Sequence, residues 1–188
     1  MDWVKYGVYD TPAAVREIRK HNGDKKVALV GHSQGTTQTF AGMGTIPEWY
    51  DANISVAALM GPCTSPNPQY FTPLYIPEVW ECIERQGVYA FGTPMYEQQA
   101  PALDAACKDT SPVWKSYFTY LGGFKNTPTQ TLAHYAQTAI THRFQQYMPD
   151  FLERENPKAP LIDFGLVQEM KVAMLIGLWD NSCPLPTA

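Results

Sequence analysis

Val27-Ala28-Leu29-Val30-Gly31-His32-Ser33-Gln34-Gly35 decides the reading of this 188-residue chain. Its first five residues form a short, continuous apolar run, the pattern of a strand covered on both faces in a parallel sheet. Its last five, sharing Gly31, spell G-x-S-x-G, which arises by chance in a chain of this size about once in twenty. Context raises its specificity. A serine on a tight strand-to-helix turn needs glycines two before and two after it, because side chains there would collide with the backbone. Ser33 then projects its hydroxyl above the carboxyl end of the sheet. The helix behind it aims N–H groups and a positive dipole end at developing negative charge, with the backbone N–H of Gln34 as one oxyanion donor. The plain alternative is a glycine-rich turn with a serine cap. His32 points away from its neighbour on such a turn and reads as a supporting residue.

Working outward, 10–20 has an acceptor and Pro12 at its start and Arg19 and Lys20 at its end, which predicts a helix stopped by Asn22-Gly23. A second helix is expected at 36–43. Two more apolar runs, 54–60 and 171–177, complete three strands, and strand, helix, strand implies a right-handed crossover and a parallel sheet. The class is α/β. Residues 64–160 differ in texture, holding 16 of the 24 Phe, Trp and Tyr residues in about half the chain. Eight prolines from Pro66 to Pro128 break this stretch into short helices. Its clearest helix starts at Thr127-Pro128, with Leu132, Tyr135, Ala136, Ala139, Ile140, Phe144 and Tyr147 on one apolar face and His134 opposite. The boundaries are therefore 1–63 for the nucleophile half of a core, 64–160 for a helical insertion, and 161–188 for a returning strand and turn.

Composition narrows the chemistry. Hydrophobic residues at 45% rule out disorder, and no run approaches the roughly 18 apolar residues of a membrane span. A net charge of −4 without a Lys/Arg block argues against nucleic acid. The four cysteines, Cys63, Cys82, Cys107 and Cys183, lack CxxC spacing and the four histidines form no HExxH, so no metal site is expected and no cofactor is implied. The even count favours two disulfides. Asn53-Ile54-Ser55 is a glycosylation acceptor in sequence, though it borders a strand. Met1-Asp2-Trp3-Val4-Lys5-Tyr6 carries no apolar stretch of the signal-peptide kind, and such a segment is expected upstream of these residues.

These residues resemble the acid lipases, the family that includes lysosomal acid lipase and gastric lipase. Tyr9-Asp10-Thr11-Pro12-Ala13 is similar to the family's helix start, and Val30-Gly31-His32-Ser33-Gln34-Gly35-Thr36-Thr37 to its nucleophile turn. Ile46-Pro47-Glu48, Gly61-Pro62, Phe91-Gly92 and the 132–144 helix follow in the family's order. The resemblance implies an α/β-hydrolase core, incomplete here, with a helical cap over a lipid site. It also implies cleavage of long-chain acyl esters such as triacylglycerol or sterol ester, a lipid ester substrate met at an oil-water or membrane interface, and a secreted or lysosomal location. The family's acid lies in a Gly-x-x-Asp turn that Gly177-Leu178-Trp179-Asp180 matches, so Asp180 is the implied triad acid, and Asp163 is the weaker candidate, better read as a turn residue. On the same frame Cys63 and Cys183 follow neighbouring strands and pair, leaving Cys82 with Cys107; free buried thiols are the alternative.

The family order is Ser, Asp, His, and none of the eight residues after Asp180 is a histidine. His134 and His142 precede the acid. The expectation is an internal piece of a longer lipase whose triad histidine and second oxyanion donor lie elsewhere, and whose three strands leave unpaired edges and uncovered apolar faces. The rival is a catalytically inactive hydrolase-like domain that binds a lipid or a protein partner.

Overall fold

The computed structural model describes residues 2–67, 90–91, 101, 105, 127–150 and 158–184. The chain opens on a rod in three registers: α1 (Trp3–Lys5), a π turn (Tyr6–Asp10) and α2 (Thr11–His21). The Asp2 carboxylate caps its start, accepting from the N–H groups of Val4 and Lys5 at 3.1 and 3.2 Å. The π turn sits just before Pro12, which has no N–H to continue the four-residue ladder, and Thr11 N–H reaches back to the Tyr6 carbonyl instead. The expected helix at 10–20 is thus the second half of a longer element. Gly23 and Asp24, both with positive φ, end it.

β1 (Val27–His32) pairs in parallel with β2 (Ile54–Met60), which pairs in parallel with β5 (Lys171–Leu175), giving the order β1-β2-β5. α3 (Gln34–Thr45) and α4 (Pro47–Asn53) form the crossover between β1 and β2. Two short strands, β3 (Ala90–Phe91) and β4 (Thr127–Pro128), pair antiparallel, and α5 (Thr129–Thr141) follows directly.

One core lies between the sheet and α3, built from Val15, Val27, Phe40, Met43, Tyr50, Ile54, Ala57, Leu59 and Met170. Burying a side chain of this size contributes about 1.5–3 kcal/mol. The helix crossing that anchors it requires glycine. A Cβ on Gly7 would run into the Gln38 carbonyl and one on Gly42 into the Tyr50 ring, while the Tyr50 hydroxyl donates to the Gly7 carbonyl at 2.9 Å. The opposite face of the sheet is bare among the described residues: Val30 is 69% exposed and Leu175 55%. The expectation of strands covered on both faces is corrected here, and that of uncovered apolar faces agrees.

A second cluster joins Trp3, Ala41, Cys63, Tyr135 and Ile162, and through it α5 packs on the core. Residues 131–139 are all buried, so the face of α5 that carries Thr131, His134 and Thr138 is covered as fully as the apolar one. His134 lies flat against Trp3, ring centroids 3.5 Å apart, and its Nε2 donates to the Gln145 carbonyl at 2.9 Å.

Candidate active site

β1 runs out at His32, and the chain reverses at Ser33 with φ 50° and ψ −117° before α3 begins. A non-glycine residue held there stores about 1–3 kcal/mol of strain. Four contacts hold it: Ser33 N–H donates to the Met60 carbonyl at the end of β2 (3.0 Å), and the Ser33 carbonyl accepts from Thr36 N–H (2.9 Å), Thr36 Oγ1 (2.6 Å) and, more weakly, Thr37 N–H (3.5 Å). The Ser33 side chain faces solvent at the carboxyl end of the sheet. The two motif glycines prove unequal. A Cβ on Gly31 would lie 2.9 Å from the Gly35 carbonyl oxygen and 3.1 Å from Leu59, whereas no described atom comes within 4 Å of one on Gly35. The steric need expected of both is therefore met at Gly31 alone. Gln34 and Gly35 open α3, so their N–H groups have no preceding turn to bond. His32 alternates onto the bare face of the sheet with Val30 and is exposed.

Asp180 follows β5 in a turn closed by its own N–H to the Gly177 carbonyl (3.1 Å). Its Oδ1 accepts from the N–H groups of Ser182 (2.9 Å) and Cys183 (3.0 Å). Its Oδ2 takes no hydrogen bond from the described residues and faces Gly61, where a Cβ would stand 4.0 Å away. Gly61, with φ 58°, donates to the Leu175 carbonyl (2.9 Å) and so ties the end of β2 to the end of β5. Ser33 and Asp180 thus stand at the same end of the sheet, on the outer two of three strands, with Met60-Gly61 between them.

Cys63, just past β2, is disulfide-bonded to Cys183 with Cα atoms 5.1 Å apart. Cys82 and Cys107 lie outside the described residues. Asp163 caps the 3-10 turn Phe164–Leu166 by accepting from Gly165 N–H, the work of a turn residue. Both ends of the Asn53 amide are engaged, Nδ2 to the Trp49 carbonyl (2.7 Å) and Oδ1 by Arg19, so a glycan there would displace both contacts.

His134 is sealed inside the second cluster, where burial holds its imidazole down to about 4 against the opposing pull of the Gln145 hydrogen bond and the Asp2 charge. His142, with φ 51°, ends α5 and is exposed. Among the described residues neither is hydrogen-bonded to Ser33 or Asp180. Sequence reasoning missed the roles of Thr36 and Thr37, whose hydroxyls meet Cys63, and of Asp51. The Asp51 carboxylate accepts from the N–H groups of Gln168, Glu169 and Met170 at 2.7–3.0 Å and orients the entry to β5. Although desolvation opposes it, these bonds and Lys26 hold the Asp51 carboxyl below its usual range. No local signal marks a contact between residues 117 or more apart.

A parallel sheet whose carboxyl end carries a strained serine turn and an aspartate turn is the arrangement of an incomplete α/β hydrolase core. The alpha/beta hydrolase fold family model matches residues 1–150, and the chain belongs to that family. It is similar to Lipase 3 of Drosophila melanogaster, 37% identical over 73 residues, which are 36% of this chain and 18% of the relative. Lipase member K of Mus musculus is 46% identical over 46 residues, 24% of this chain and 12% of the relative. Lysosomal acid lipase/cholesteryl ester hydrolase of Homo sapiens is 41% identical over 64 residues, 31% and 16%. Each match spans less than a fifth of the relative's length.

Proposed function

We propose that this chain carries the nucleophile and the acid of a serine ester hydrolase acting on long-chain acyl esters. The observation that carries the reading is the strained, solvent-facing Ser33 at the sheet end that also holds Asp180. Ser33 Oγ attacks the ester carbonyl, the Gln34 N–H helps to hold the oxyanion, and water then hydrolyses the acyl-enzyme. Asp180 keeps the triad histidine in the right tautomer through Oδ2, which bonds none of the described residues, and stabilises the imidazolium. That histidine is none of the four in this chain. Residues 64–160 are the cap insertion, whose aromatics suit long acyl chains at about 0.8 kcal/mol per buried methylene. The lipase names among the relatives support a lipid ester substrate, and the lysosomal name supports an endomembrane or secreted location.

The test uses the full-length protein on emulsified long-chain triacylglycerol, on sterol ester and on a soluble short-chain ester. Hydrolysis of the long-chain substrates that vanishes in Ser33→Ala supports the reading, whereas activity confined to the short ester moves the substrate class. The second reading, an inactive lipid- or protein-binding domain, has one observation in its favour: among the described residues no histidine side chain is hydrogen-bonded to Ser33 or Asp180. Unreactive full-length protein that still binds fatty acyl chains supports it.

A further inference from the structure

The Asp180 turn is poorly held by packing. Leu178 and Trp179 are 90% and 91% exposed, and β5 is exposed along its length. Beside the disulfide lies an apolar hollow of about 200 Å³ lined in part by Pro62, Met174, Ile176, Cys183 and Pro184. A triad acid must be set to within about half an ångström, and loose apolar contact cannot do that. What crosses from the nucleophile side to this turn is a run of directed bonds. Thr36 Oγ1, which donates to the Ser33 carbonyl, accepts from Cys63 N–H (3.2 Å), and Thr37 Oγ1 donates to the Cys63 carbonyl (2.7 Å). The Tyr135 hydroxyl of α5 donates to Thr37 Oγ1 in turn (2.9 Å). Cys63 is therefore gripped at both its N–H and its C=O by consecutive threonines of α3. From it the disulfide leads to Cys183, whose N–H donates to Asp180 Oδ1. Asn67 adds two parallel ties, to the carbonyls of Ser182 (2.8 Å) and Asn181 (2.9 Å).

We propose that the Cys63–Cys183 disulfide, anchored on Thr36 and Thr37, is a positioning device that fixes Asp180 relative to Ser33, so that its reduction uncouples the acid while leaving the nucleophile turn in place. The proposal rests on the reading of Asp180 as the acid. Reduction by a dithiol breaks the S–S bond and delivers two electrons and two protons to give two thiols, the dithiol closing to its own cyclic disulfide. Released, the Asp180 turn keeps only hydrogen bonds, and a displacement of about 1 Å costs up to about a hundredfold in rate.

The experiment measures kcat, KM and the pH profile of the full-length enzyme on p-nitrophenyl butyrate. Its arms are the oxidised enzyme, the enzyme treated with dithiothreitol, Cys63→Ser/Cys183→Ser, Asp180→Asn, and the combination of all three substitutions. The expected result is a fall in kcat of about tenfold to a hundredfold on reduction, with KM little changed. The acid limb of kcat/KM moves to lower pH, because an imidazolium without its carboxylate loses its proton more easily. Reoxidation restores the rate, the double serine variant is slow and indifferent to dithiothreitol, and adding Asp180→Asn to it costs nothing beyond Asp180→Asn alone. A merely stabilising cross-link would instead lower the melting temperature, leave the pH limb in place and add its loss to that of Asp180→Asn. Wild-type kcat and pH profile in the double serine variant, beside a strongly impaired Asp180→Asn, overturn the proposal alone. Wild-type kcat in Asp180→Asn overturns the acid reading beneath it. Thr36→Val, which keeps the disulfide and removes half its anchor, guards against loss of folding: a folded variant with an unshifted acid limb also counts against the proposal.

Discussion

The two ends of the candidate site are built in opposite ways. Ser33 is set by about thirty contiguous residues. β1 ends against β2, Gly31 is squeezed between Gly35 and Leu59, and Thr36 closes the first turn of α3 on the Ser33 carbonyl. Asp180 stands at the exposed end of an edge strand, held by backbone N–H groups, by Asn67 and by a disulfide between residues 120 apart in sequence. A nucleophile that needs strain must be packed locally, because only dense surroundings hold a strained φ. An acid that needs only orientation can be held by a few directed bonds from a distance.

The contrast predicts unequal responses to damage. Under the proposed reading the largest effect falls at Asp180: Asp180→Asn in the full-length protein lowers kcat by about 10⁴-fold with the fold intact, as seen by steady-state kinetics beside a thermal melt. A fall of less than tenfold would remove Asp180 from the triad. Next comes the packing that supports the nucleophile. Gly42→Val drives methyl groups into Tyr50 and breaks its bond to Gly7, costing about 3 kcal/mol or more in a denaturant titration. Leu178→Ser, on the unpacked side, should leave that titration within about 0.5 kcal/mol.

A pH effect ranks third. His134 titrates near 4 when folded against 6.5 for the free imidazole, so below 6.5 the unfolded chain takes up a proton that the folded one refuses. Stability is full above about pH 6.5 and declines as pH falls towards 4, by roughly 2–3 kcal/mol from this group. His134→Phe should flatten that decline, and an unchanged slope in melts between pH 4 and 7 would contradict it. The smallest effect is at Gly35, where the space is open. Gly35→Ala is expected to raise stability by about 0.4–1 kcal/mol, through a less free unfolded chain, where Gly31→Ala lowers it.

The same asymmetry explains what could be read in advance. The three strands, α2, α3 and the serine turn are written in local periodicity and in Gly31 and Ser33, so they were legible to within two residues. Asp180 was reached through a family resemblance, because a Gly-x-x-Asp turn is unremarkable by itself. The π turn before Pro12 was not anticipated, since a five-residue stretch such as Tyr6–Asp10 is too short to carry a periodic signature. The burial of His134 depends on Trp3, 131 residues away, and the Asp51 ties depend on a turn at the far end of the chain. Long-range contacts leave no mark on a pattern only a few residues wide.

The central claim is that Ser33 is the nucleophile, and the most direct measurement is peptide mass spectrometry of the full-length protein after reaction with a fluorophosphonate. The account predicts one phosphonylated residue, Ser33, appearing as ester hydrolysis disappears, and no adduct in Ser33→Ala. An adduct on another residue, or hydrolysis that survives in Ser33→Ala, would contradict it.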